Sequence, residues 1–142
     1  MADISLTKSR KLIATIFKTG VEMGLKPLSV IVLDAGGNVK AFERQDGAAP
    51  GRFAIAQGKA YGTVMLGMGG TAQMARAAAQ AYFMEAVNGA YGGKVIPVPG
   101  GVLLKNAKGD IVGALGVTGD TSDNDLAAAL VGIEAVSLVG EG

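Results

Sequence analysis

Apolar residues recur at helical spacing near the start of the chain. Leu6, Ser9, Leu12, Ile13, Ile16, Phe17, Gly20 and Val21 share one face, while Lys8, Arg10, Lys11 and Lys18 fall mostly elsewhere. This predicts an amphipathic helix, with Ser5 or Thr7 capping its start and Gly24 followed by Pro27 stopping it. Residues 28–33 are short, β-branched and apolar. Asp34-Ala35-Gly36-Gly37-Asn38 then supplies a tight turn, and residues 39–44 return with alternating polarity. Together they predict a β-hairpin.

A polar connection over residues 45–51 leads to a second predicted helix over residues 53–66. Gly67-Met68-Gly69-Gly70 breaks it, and Thr71 can cap a third helical stretch from residue 72 to about residue 87. Residues 88–93 are expected to form a loop. Val102-Leu103-Leu104, a turn at residues 106–110 and the apolar residues 111–117 repeat the hairpin grammar, and Ser122-Asp123-Asn124-Asp125 opens a final capped helix expected over residues 126–139. The predicted order is α-β-β-α-α-β-β-α. Local hairpins without regular βαβ alternation favour an α+β fold, with an antiparallel sheet of about four to five strands built from two hairpins and flanked by helices. No linker or composition shift divides the chain, so residues 1–142 are expected to form one domain.

Composition narrows the chemistry. The chain has 142 residues, 49% hydrophobic and 18% charged, with no cysteine and no histidine. Disulfides, thiolate zinc sites, Ser-His pairs and imidazole acid-base catalysis are excluded. Thirteen basic and twelve acidic residues give a net charge of +1, without a basic run that could follow a phosphate backbone, so nucleic-acid binding is not expected. No apolar run approaches the roughly 20 residues of a membrane span. The first residues lack the features of a secretory signal, so the expected location is the cytoplasm.

Several motifs could carry function. Gly67-Met68-Gly69-Gly70-Thr71-Ala72 formally fits a phosphate-binding glycine pattern, but a helix precedes it where a dinucleotide site needs a strand. A helix-breaking loop is the simpler reading. Asp120, Asp123 and Asp125 suit the start of a helix, and Asp120 is also a candidate ligand contact; no metal site is assigned. Pro99-Gly100-Gly101 precedes an apolar strand, where Gly100 and Gly101 could let a ligand approach backbone amides or merely permit a strained strand entry. Gly113, Gly116 and Gly119 could thin a strand beneath a packed helix.

Arg44, Arg52 and Lys59 flank the junction before the second helix, where they could meet an anionic ligand or simply be solvated. Lys59 interrupts an otherwise small and apolar helix. It could bind a carboxylate, act as a base or nucleophile, or pair with a core acid such as Asp34. Met65, Met68, Met74 and Met84 surround the glycine-rich break and suit a subunit interface or an adaptable pocket.

The whole chain resembles the GlcG/HbpS-like proteins, the haem-degrading domain family that includes the C-terminal domain of PduO-type proteins. The resemblance rests on Val32-Leu33-Asp34-Ala35-Gly36-Gly37, Ala56-Gln57-Gly58-Lys59-Ala60, Pro99-Gly100-Gly101-Val102, Gly113-Ala114-Leu115-Gly116-Val117-Thr118-Gly119 and Asp123-Asn124-Asp125. It implies a profilin-like fold, homo-oligomers that are often octamers, and haem or another small ligand near the helix after the first hairpin. Members that hold haem through histidine have a donor this chain lacks, and Leu103 stands where a proline often follows the glycine pair. Tyr61, Tyr82, Tyr91 or a methionine would then ligate iron.

Three functions remain open. One is a homo-oligomeric binding protein for haem or a related tetrapyrrole. Another is a histidine-independent enzyme acting on a carboxylate-bearing metabolite, with Arg44 or Arg52 clamping the carboxylate, Lys59 or Asp34 moving a proton, and the amides at Gly100 and Gly101 stabilising an oxyanion. The third is an accessory oligomer without chemistry.

Overall fold

A computed structural model describes residues 3–142. The first helix, α1 (Leu6–Glu22), starts where the Ser5 hydroxyl accepts the Lys8 N–H and stops ahead of Gly24, whose φ of 71° turns the chain away. Strands β1 (Ser29–Asp34) and β2 (Val39–Arg44) form the expected hairpin. Helix α2 (Arg52–Leu66) ends at Gly67 in a left-handed cap. Strands β3 (Gly101–Lys105) and β4 (Ile111–Thr118) form the second hairpin, and α5 (Ser122–Ala135) begins at the Thr121 hydroxyl, which accepts the Asn124 N–H.

The cap of the third helix is Gly69 and not Thr71, residues 88–90 are helical where a loop was expected, and two longer segments also differ from expectation. The single helix predicted from residue 72 is two helices, α3 (Gly70–Ala79) and α4 (Ala81–Ala90), parted at Gln80 with φ −140° and ψ 62°. Its backbone N–H still closes on the Arg76 carbonyl, and its side-chain oxygen accepts the Arg76 Nε–H at 2.6 Å, so the break is stabilised by polar contacts with no proline or glycine to mark it. The last helix ends at Ala135 and not near residue 139. Ser137 adopts φ 59°, the chain reverses, and β5 (Val139–Glu141) pairs with β3. The observed order is therefore α-β-β-α-α-α-β-β-α-β, with α+β class retained.

The sheet runs β2-β1-β4-β3-β5, antiparallel throughout. Neither hairpin has an exposed inner edge because β1 pairs with β4 at the centre. Side chains alternate across the sheet. Val30, Val32, Leu115 and Val117 face a core with Leu12 and Ile16 of α1 and Ala128 and Ile133 of α5. Ile31, Leu33 and Ala114 face Ala56 and Ala60 of α2. Gly101 and Gly116 are cross-strand partners beneath α2. A Cβ on Gly116 would strike the Ala56 carbonyl, and one on Gly101 the Lys59 carbonyl. The helix backbone thus rests directly on the sheet there, which is what the recurring glycines of β4 permit.

Candidate functional site

Landing α2 on the glycine pair brings Lys59 against Gly100, as a Cβ on that glycine would lie 2.9 Å from the Lys59 Nζ. The lysine and the paired glycines are therefore neighbours. What Lys59 meets, however, is protein. Its Nζ donates to the Val117 carbonyl at 3.0 Å and to Asp125 Oδ2 at 3.1 Å, and the two charged side chains are 3% and 1% exposed. Asp125 Oδ1 accepts the Asp120 N–H, so the carboxylate is satisfied on both oxygens. Burial pushes Lys59 below the usual lysine range, against the pull of Asp125, and pushes Asp125 above the usual carboxylate range, against the pull of Lys59. Each charge survives in the interior because the other faces it.

Asp34 is not the partner of Lys59. It sits at the turn of the first hairpin, where Oδ1 accepts the N–H groups of Gly36 and Asn38, both at 2.9 Å. Those bonds, with the Asn38 backbone N–H foremost, hold its carboxyl below its ordinary range. The two residues named as proton carriers are thus separated: one closes the interior and the other shapes a turn.

Asp120 also has a local role. It accepts the Lys26 and Thr121 backbone N–H groups and the Asn124 side-chain amide, contacts that lower its carboxyl to about 2, with the Asn124 bond the largest cause. Among the described residues no three acidic side chains gather at one point. The glycine loop before α3 is filled from within, because the Thr71 N–H donates to the Gly142 oxygen at 2.8 Å and Gly69 abuts the same residue.

Arg44 and Arg52 come closer to what the sequence suggests. Arg44 donates to the Ala48 carbonyl at 2.7 Å and Arg52 to the Thr118 hydroxyl at 2.8 Å. Among the described residues the ion pairs are Lys59–Asp125 and Lys105–Glu141, so neither arginine has a carboxylate partner. Tyr61 lies about two and a half turns beyond Arg52 along α2, half-buried. Its ring meets Tyr91 edge-on at 6.4 Å, with the Lys94 ammonium 5.5 Å from its centroid.

Among several shallow surface grooves, two border residues singled out in the sequence. One of about 560 Å³ lies between the end of α1 and the end of β2, lined by Phe17, Leu25, Pro27 and Arg44. A smaller one of about 260 Å³ runs between α3, α4 and the following segment, lined by Ala77, Met84, Val95 and Pro97. Of the methionines grouped in the sequence, Met84 is buried in that second groove and Met74 is 44% exposed on the outer face of α3.

Ser29 and Thr118 are two buried polar residues to which the sequence assigned no role of their own, although Thr118 lies in one of the motifs that carry the family resemblance. Both lie at strand positions where alternation calls for a core residue, and both are buried, at 0% and 1% exposure. That misplaced polarity, in phase with Ile31 and Leu33, was the available signal.

The fold recurs in solved structures. The complex of PduOC with haem superposes with a TM-score of 0.85 at 21% identity, covering 96% of this chain and 97% of that one. Klebsiella pneumoniae ORFY gives 0.81 at 24% identity, covering 94% and 90%. A double mutant of HbpS from Streptomyces reticuli gives 0.79 at 25% identity, covering 95% and 88%. No curated protein matches the chain by sequence. The family described as haem-degrading protein HbpS-like matches residues 4–134, a span that in this chain holds the glycine-seated helix, the buried lysine and both hairpins; this chain belongs to that family.

Proposed function

We propose that this protein is a homo-oligomeric binding protein for haem or a related tetrapyrrole. The observation that carries this reading is the family match over residues 4–134. The donor chemistry of the chain is compatible with it. Without imidazole or thiolate, a phenol is the strongest iron donor that remains, as in tyrosinate-ligated haems. Tyr61 offers such a phenol half-buried, with the apolar edge of Tyr91 beside it and the Lys94 ammonium placed to meet a carboxylate. Haem held there would supply iron redox chemistry, and the chain's own residues would supply the donor and the cation. Oligomerisation is supported by the α3–α4 arm, whose apolar Met74 and Tyr82 are 44% and 70% exposed.

The test is a titration with hemin followed by visible absorption, with a native mass spectrum of the same sample for copy number. The expected result is a saturable Soret change in the wild type, lost or displaced in Tyr61→Phe, on an oligomer. A flat difference spectrum at micromolar protein overturns the haem reading, and a monomer mass overturns the assembly.

A further inference from the structure

Three side chains form one row across the sheet beneath the first turn of α2. Arg44 of β2 is the cross-strand partner of Ser29 of β1, and Ser29 is the partner of Thr118 of β4. Paired residues point to the same face, and Ser29 is in phase with Ile31 and Leu33, which contact α2. The row therefore lies on the α2 side and spans two strand spacings, roughly 10 Å. Helix α2 begins directly above it. Phe53 packs edge-on against Phe42 one row away, at 4.9 Å, and Arg52 reaches down to the Thr118 hydroxyl.

The corner is electropositive and short of acceptors. Arg52 reaches into it, Arg44 stands at its outer edge with its guanidinium on the Ala48 carbonyl, and neither has a carboxylate partner among the described residues. The start of α2 adds the positive end of a 15-residue helix, and it has no side-chain cap and no acidic residue in its first turn. By contrast α5 carries both a threonine cap and Asp123 and Asp125 in its first turn. Independently of the helix, the Ser29 Oγ is fully buried and has no hydrogen-bond partner. A buried hydroxyl without a partner is costly, and in a native protein such a group asks for an explanation. Here it stands in the row between Arg44 and a hydroxyl already bonded to the Arg52 guanidinium.

We infer that this corner binds a carboxylate group, with Arg52 and Arg44 as its cationic clamp and the Ser29 and Thr118 hydroxyls beneath. The N–H donors of Arg52 not used on Thr118 have no protein partner among the described residues, and the planar fork of a guanidinium matches a carboxylate bidentately. Ser29 completes its hydrogen bonding only when the acceptor arrives. The site is separate from Tyr61, which lies nine positions on, about 13 Å along α2. It does not depend on the haem reading. The carboxylate comes either from a free small acid or from the propionate of a tetrapyrrole.

Titration of the full chain with sodium succinate, against sodium chloride at equal ionic strength, tests this by NMR of the Arg52 Nε–H and the Phe53 and Ala54 amides. Saturable shifts with succinate alone are expected. Arg52→Ala should weaken binding about tenfold or more, the worth of one charge-assisted hydrogen bond. Ser29→Ala gives a signature that a structural role would not: removing the orphan hydroxyl leaves thermal stability equal or higher while weakening succinate binding. Shifts reproduced by chloride, absence of saturation, or undiminished binding in Arg52→Ala overturns the proposal. A parallel comparison of hemin with its dimethyl ester identifies the source: Arg52→Ala weakens hemin alone if a propionate is bound, and neither porphyrin if the ligand is a free acid.

Discussion

Lys59 and Arg52 stand seven residues apart on α2, about two turns, and share a helix face, yet their surroundings differ in kind. Lys59 is sealed between the Val117 carbonyl and the Asp125 carboxylate. Arg52 is half-buried at the helix start, and its side-chain hydrogen bond among the described residues goes to a hydroxyl. A cation that has found its anion inside the protein closes a structure, whereas one aimed at neutral acceptors beside an uncapped helix start still has charge to offer. The lysine is the more conspicuous of the two in sequence, and the arginine is the better placed to meet a ligand.

The largest effect should come from breaking the closed pair. Lys59→Met leaves Asp125 buried and unpaired and should cost about 3–5 kcal/mol in urea unfolding. The double variant Lys59→Met, Asp125→Leu should recover most of that loss, because the desolvation penalty disappears together with the attraction. If the single variants are mild and additive, the pair is not closed. Gly116→Ala comes next. Its Cβ collides with the Ala56 carbonyl, α2 must lift from the sheet, and a loss of about 1–3 kcal/mol is expected. Arg52→Ala should cost less, about 0.5–1.5 kcal/mol for one hydrogen bond to a neutral hydroxyl, with the fold intact by circular dichroism. An Arg52 loss as large as that of Lys59 would erase the contrast between them.

Acid sharpens the same comparison from a neighbouring residue. Asp120 is lowered from 3.8 to about 2, so its stabilisation is present above pH 3.8 and is lost as pH falls through about 2. The urea midpoints of the wild type and Asp120→Asn should differ near neutral pH and converge at the acid end of that window. Asp125 carries the opposite sign. Burial raises it, so its ionised form opposes folding, and its contribution falls as pH rises through the raised value. A midpoint difference for Asp120→Asn that grows on acidification would contradict the assignment.

Much of this architecture is legible in local pattern. Ser5 and the 3.6-residue periodicity announce α1, and Gly37 and Gly109, at φ 84° and 87°, mark the two hairpin turns. The anomaly of Lys59 within a small-residue helix is equally visible. Its partner is not, because Asp125 lies 66 residues away and is chosen by the order of strands, which short-range patterns do not encode. The break at Gln80 and the reversal at Ser137 escaped for a related reason. Neither uses glycine or proline, and β5 is a three-residue strand whose pairing with β3 depends on the finished sheet. Ser29 and Thr118 become conspicuous only when the register places them in one row with Arg44.

Chemical labelling of the native protein tests the contrast along α2 most directly. Reductive methylation for lysines and phenylglyoxal for arginines, followed by peptide mass mapping, report both residues in one preparation. Lys59 should stay unmodified until urea is added, while Arg52 reacts in the folded state and is protected by succinate. Methylation of Lys59 at the rate of the exposed Lys108, with Arg52 inert, would contradict the account.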